Sequence, residues 1–313
     1  MNSANSTDGF DPSAAGHDTF VFSLYQYTPS LPAAIIAVSL FGALTAYHAW
    51  LVLRHRSLYF TAFTLGGLFQ ALGYTGRIWS HFDTTALGGF IIQAILILVV
   101  PALYAASIYM ILGRLVHGLD AEALCVIPRA WMTRIFVTGD VISFVMQAGG
   151  GGIQSAGSLD MYELGEKIII VGLFVQIVVF SIFIVISLTF HRNVVVRPSL
   201  PSLSRIPCWK RHLYVLYAAS FLILVRSIFR VIEYLQGNGG YLISHEAFLY
   251  IFDTLLMVAV MVILAIWYVG DLEHSSDLSR DTKTEGEGLG PYTYVESDTD
   301  SYQHLPVEMR RIV

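Results

Sequence analysis

The chain has 313 residues, 55% hydrophobic and 13% charged, with a mean hydropathy of +0.62. Soluble domains carry charge on about a quarter of their residues, so a free-standing water-soluble domain is excluded and a membrane protein is implied. The formal net charge of −5 says nothing about partners, because ten Asp or Glu against four Lys or Arg fall between Asp271 and Val313, leaving the preceding chain near +1.

Residues 1–30 are polar and acidic, with Asp8, Asp11 and Asp18 and no Lys or Arg. They lack the basic-then-apolar pattern of a secretory leader, so the first apolar run is expected to act as its own insertion signal. Apolar runs of about 20 residues, enough to cross about 30 Å of hydrocarbon as helix, recur seven times. They cover 31–53, 58–79, 89–112, 132–153, 167–190, 213–236 and 246–269. The expected fold class is therefore all-α: a seven-transmembrane helix bundle over 31–269, preceded by an extracellular segment at 1–30. From 270 to 313 the composition predicts a disordered acidic cytosolic tail, in which Ser297 to Asp300 (SDTD) is either a kinase site or merely solubilising.

Orientation follows from Lys and Arg. The loops after runs one, three and five hold Arg54, Arg56, Arg114, Arg129, Arg134, Arg192, Arg197, Arg205, Lys210 and Arg211, whereas the opposite side has only Lys167 at its edge. The positive-inside rule then puts the N-terminus outside and the C-terminus in the cytosol. Asn5-Ser6-Thr7, the only glycosylation sequon, lies on the predicted outer side. Cys125 and Cys208 both fall in predicted cytosolic loops, where disulfides are rare, and Cys208 is either a plain thiol or a palmitoylation site. The basic, proline-containing loop from His191 to His212 satisfies the topology rule and is also suited to anionic lipid headgroups.

Local features within the runs suggest packing. Gly42 with Ala46, Ala62 with Gly66 and Ala102 with Ala106 have the four-residue spacing of close helix contacts in lipid. Pro101, mid-run, should kink its helix and free a backbone carbonyl. The Gly149 to Gly152 run is expected to unwind, to admit a close approach to the backbone, or to act as a flexible turn.

The most informative stretch is RSIFRVIEYLQGNGGYLISHEAFLYIFD, Arg226 to Asp253, because charge at membrane depth costs a few kcal/mol or more unless it faces a partner or a wet cavity. Arg226, Arg230 and Glu233 have the i, i+4, i+7 spacing of one helix face, and Glu246, Tyr250 and Asp253 repeat it. The QGNGGYLIS connection is short, so the last two helices should be antiparallel neighbours with facing polar stripes. Arg77 and Gln147 are expected at comparable depth, and Asp140 deeper. Three Arg against four carboxylates admit two compatible readings: a salt-bridge network that holds helix register, or a polar site for a charged or hydroxylated headgroup.

Several chemistries are set aside. There is no GxxxxGK[ST] phosphate loop, the last run has no Lys for a retinal Schiff base, and His245 and Glu246 are adjacent rather than one turn apart as a helical metal site requires. His48 reads as a satisfied interhelical residue. A seven-span receptor is the rival class, but LGRLV (Leu112 to Val116) stands where a DRY triplet would follow the third run, and no NPxxY is present. No enzyme activity, cofactor, metal or nucleic-acid partner is expected.

At these motifs the sequence resembles the fungal lipid-translocating exporter family, the seven-span proteins of aminocholesterol resistance and sphingoid-base export. The matching pieces are GYTGR (Gly73 to Arg77), PALYAASIYMILGR (Pro101 to Arg114), FVTGDVISFVMQAGGGG (Phe136 to Gly152), GLFVQ (Gly172 to Gln176), RSIFRVIEYLQGNGG and HEAFLYIFD. The chain departs from the family pattern at Gln70, which is neutral where a carboxylate precedes the Gly-Tyr pair by three residues. The resemblance implies a multipass protein of the plasma membrane or an endomembrane whose partners are membrane lipids or amphipathic small molecules moved toward the outer side. Candidate substrate-binding residues are Arg77, Asp140, Gln147, Arg226, Arg230, Glu233, Glu246 and Asp253, with Asn5 the candidate glycosylation site.

Overall fold

The computed structural model describes residues 29–82, 87–119, 121–154, 159–196, 209–237 and 240–267. Asn5, Cys208 and the acidic C-terminal segment lie outside them. Helix α1 is Leu31–His55, α2 Thr61–Phe82, α3 Leu87–Gly118, α4 Arg129–Gln154, α5 Leu159–Val196 and α6 Trp209–Leu235. The last helix, α7, spans Glu246–Ile266 and follows a single turn at Tyr241–Ser244.

The described residues are helical apart from their connections, as the apolar runs predict. Pro32 sits in the first turn of α1, where a missing N–H breaks no helical bond. That helix stops because Arg56 takes a left-handed conformation, φ 51°, which lets the Ser57 N–H reach the Val52 carbonyl at 3.2 Å. Helix α5 runs 38 residues, well beyond its apolar stretch. Its polar start stays helical and carries a Glu163–Lys167 pair at 3.5 Å, one turn apart.

Five helices, α1, α3, α5, α6 and α7, are long and apolar enough to cross a membrane. Helices α2 and α4, of 22 and 26 residues, are less apolar because Gln70 and Arg77 interrupt one and Asp140, Gln147 and five glycines the other. Each helix packs on the next, α7 closes back on α1, and α3 also meets α6. The main core is aromatic and aliphatic, centred on Phe41, Phe63, Tyr104, Tyr109, Phe183 and Met261. Large apolar side chains such as Leu53, Val145, Val185 and Phe221 remain exposed on outer faces, the arrangement of helices surrounded by lipid.

One packing expectation is corrected, and of the three readings of the glycine run only the close backbone approach holds. A Cβ on Gly42 would meet nothing within 4 Å, and Ala46 is exposed, so that pair faces outward rather than forming a seam. The Gly149 to Gly152 run does not unwind, because α4 stays helical to Gln154. Only Gly150 is forced to be small: a Cβ there would lie 2.7 Å from the Gly165 carbonyl of α5. Gly66 does form a close contact, its would-be Cβ falling 2.7 Å from the Tyr104 ring.

Candidate functional site

Two ion pairs bind α7 to its neighbours. At its first residue, the Glu246 Oε1 accepts from Arg77 Nη2 at 2.7 Å and Nε at 3.2 Å. The same carboxylate accepts the Ser30 backbone N–H at 2.9 and 3.0 Å. Ser30 is the N-cap of α1 but its own side chain makes no cap. Glu246 therefore does from another helix what the acidic residue of a capping box does locally, at the end of α1 whose dipole favours negative charge. The His81 ring bonds the Pro29 carbonyl at 2.7 Å, so the start of α1, the end of α2 and the start of α7 meet at one point.

Two turns along α7 lies Asp253, whose Oδ1 accepts from Arg226 Nε of α6 at 2.6 Å. Both side chains are nearly inaccessible, at 3% and 1%. The backbone here, Tyr250–Leu255, is a π-helical turn, a distortion that recurs at functional sites. It presents Asp253 and Thr254 together to the interior: the Tyr74 hydroxyl of α2 hydrogen-bonds Thr254 and lies 3.5 Å from Asp253 Oδ2.

Arg226 has a second acceptor that originates in Pro101. A proline has no N–H for the carbonyl four residues earlier, and here that carbonyl belongs to Ile97. The Arg226 Nη2 donates to it at 3.1 Å. One guanidinium thus joins α6 to α7 through a charge and to α3 through a carbonyl that the helix itself leaves open.

The remaining predicted residues have other hydrogen-bond partners, although Arg230 lies close enough to Arg226 and Asp253 to feel both charges. Arg230 Nη1 donates to Glu233 Oε2 at 2.8 Å within α6, and the adjacent Val231 and Tyr234 pack with Ile169 and Leu173 of α5. Glu233 is thus satisfied on its own helix, so the three carboxylates Glu233, Glu246 and Asp253 each have a different arginine partner. Asp140 accepts from the Tyr109 hydroxyl at 2.9 Å inside a ring cluster with Phe136 and Phe183. Gln147 donates to Ser143 at 2.8 Å and to Gln176 of α5 at 3.1 Å, while Ser143 donates to the Gly172 carbonyl at 2.6 Å. These contacts form a second polar seam among α3, α4 and α5.

Tyr74, Thr254 and the Ile97 carbonyl were missing from the sequence candidates. Tyr74 had a signal, since it stands three residues before Arg77 on one face of α2. Gln70 lies one turn further, fully buried, and neither atom of its amide has a partner; the buried Tyr104 and Thr45 hydroxyls also lack one. Among the described residues no cluster of His, Cys, Asp and Glu could hold a metal ion.

Comparison with known proteins fits this architecture. Residues 63–275 match the family described as RTA1 like protein. The chain is 37% identical over 282 residues to protoporphyrin uptake protein 1 of Saccharomyces cerevisiae, covering 78% of this chain and 91% of that protein. It is 37% identical over 271 residues to protein RTA1 of the same yeast, covering 78% and 84%. Identity to the yeast sphingoid long-chain base transporter RSB1 is 27% over 283 residues, covering 79% and 74%. No solved structure matches. With its apolar helices and a match across most of the bundle, the chain belongs to the RTA1-like family and is a multi-pass membrane protein.

Proposed function

We propose that this protein is a transporter that moves lipids or other amphiphiles, of the sphingoid-base, sterol-like or secondary-metabolite kind, toward the outer side of the plasma membrane. In this reading it spans the bilayer seven times with its N-terminus outside and its C-terminus in the cytosol, α2 and α4 crossing as the less apolar members of the bundle. It has no catalytic chemistry of its own. Support for an amphiphilic cargo comes from two relatives, one named for transport of a sphingoid long-chain base and one for protoporphyrin uptake, while the outward direction is part of the proposal.

The observation that carries the reading is the buried Arg226–Asp253 pair, held at 2.6 Å beside a π-helical turn and a carbonyl released by Pro101. Buried charge in a membrane helix marks a substrate or ion path by default. A cationic headgroup would take the place of Arg226 at Asp253, while the Ile97 carbonyl keeps the displaced guanidinium partly satisfied. Arg77 and Glu246 would close the pathway at the α1, α2 and α7 junction.

Purified protein in liposomes should accelerate transbilayer movement of a labelled sphingoid base in the outward sense, and Asp253→Asn should abolish that movement while the protein stays folded. A second reading is that of a sensor or regulator of lipid asymmetry or toxin resistance. It is favoured by the fact that Glu246 and Asp253 are already engaged by Arg77 and Arg226. Saturable binding of the same base without flux would select it.

A further inference from the structure

The basic end of the bundle, opposite the Arg77–Glu246 junction, carries a groove that neither ion pair touches. It lies where the connection between α3 and α4 packs against the last turns of α5. Asn193 Nδ2 donates to the Leu124 carbonyl at 3.0 Å, which seats that connection on α5. Around this contact are a cavity of about 410 Å³ bounded by Cys125, Arg192 and Val196 and one of about 490 Å³ bounded by Val185, Leu188 and Arg192. Arg192 and Asn193 line both, so the two adjoin the same turn of α5.

One face of α5 changes character along this groove. Val185 and Leu188 are exposed and apolar, 60% and 49% accessible. Arg192 follows at the next turn on the same face, also exposed. The rise from Val185 to Arg192 is about 10 Å, the distance over which a membrane passes from acyl chain to headgroup. Among the described residues Arg192 has no ion-pair or hydrogen-bond partner. The described carboxylate at this end, Glu122, is engaged by His117 at 3.0 Å, while Arg54, Arg114, Lys210 and Arg211 add positive charge.

We propose that this groove binds an anionic glycerophospholipid, its phosphate on Arg192 and one acyl chain along Val185 and Leu188. Charge complementarity selects the headgroup, and the apolar stretch beneath selects a lipid over a free anion. Such a lipid bridges α5 to the α3–α4 connection without entering the buried ion-pair network.

Native mass spectrometry of the full chain, released from detergent with phosphatidylglycerol or with phosphatidylcholine of identical acyl chains, tests the site. One phosphatidylglycerol should be retained in preference to phosphatidylcholine. Arg192→Ala should weaken that retention roughly tenfold, the scale of losing one charge-assisted hydrogen bond, while Arg54→Ala at the same end should not. Leu188→Glu should also weaken it, and inorganic phosphate at matched concentration should not compete. Equal retention by wild type and Arg192→Ala, an equal loss in Arg54→Ala, indifference to Leu188→Glu, indifference to headgroup, or competition by phosphate would each overturn the proposal. Arg192 is exposed, and helicity and monodispersity confirm that each variant is folded.

Discussion

Arg226 on α6 and Asp253 on α7 are 27 positions apart in the chain and 2.6 Å apart in the fold, with almost no access to solvent. Desolvating two charges is expensive, and removing one leaves the other unpaired, at a typical loss of about 3–5 kcal/mol. Arg226→Ala and Asp253→Ala should each lower the unfolding midpoint in detergent sharply. The double variant Arg226→Leu with Asp253→Leu should recover most of the loss, because a buried pair is often replaceable by apolar side chains. A double variant as unstable as the sum of the singles would show that the two act independently.

Glu246 serves two partners, and a neutral amide can replace only part of that role. Glu246→Gln should weaken the charge-assisted contacts to Arg77 and Ser30, a loss of about 1.5–3 kcal/mol for such bonds. Hydrogen exchange should rise at Ser30, which donates directly to the carboxylate, and in the first turn of α1. Unchanged exchange there would mean that α1 is anchored by its packing alone.

The glycine run of α4 offers an internal control. Gly150→Ala would drive a Cβ to 2.7 Å from the Gly165 carbonyl, a backbone atom that cannot step aside, and should cost about 1–3 kcal/mol. Gly149→Ala meets nothing within 4 Å and should be neutral or stabilising by up to about 1 kcal/mol through helix propensity. Thermal unfolding of the two variants side by side distinguishes packing from propensity.

Gln70 is wholly buried with both amide atoms unpartnered, a situation that forfeits about 1–3 kcal/mol. Gln70→Leu should therefore leave the folded protein as stable or more stable. A clear loss of stability would show that internal water satisfies the amide.

The sequence is explicit about elements whose cause is local. Apolar length forecast the helices to within a few residues at most ends, and failed at α5 because its polar first turns lie beyond the apolar stretch yet remain good helix. Pro101 announced an open carbonyl, but which side chain would take it was invisible, since Arg226 lies more than a hundred residues away. The i, i+4, i+7 stripes put Arg226 and Asp253 on inward faces. The same spacing put Glu233 inward with them, and it is buried there, but spacing could not show that Arg230, one turn away on the same helix, is its partner. Gly42 and Ala46 misled for the same reason as any spacing rule: small residues permit a close contact without supplying the neighbour.

Composition and periodicity alone settled that this is a helical membrane protein, and its motifs pointed to its family, because burial in lipid demands long apolar helices whatever their arrangement. The tertiary structure alone decided which acid meets which base. Arg77 with Glu246, Arg226 with Asp253 and the Ile97 carbonyl, and Asp140 with Tyr109 all join different helices. Helical spacing constrains neighbours within one helix, whereas pairing across helices depends on rotation and depth, which only the packing of the whole bundle sets.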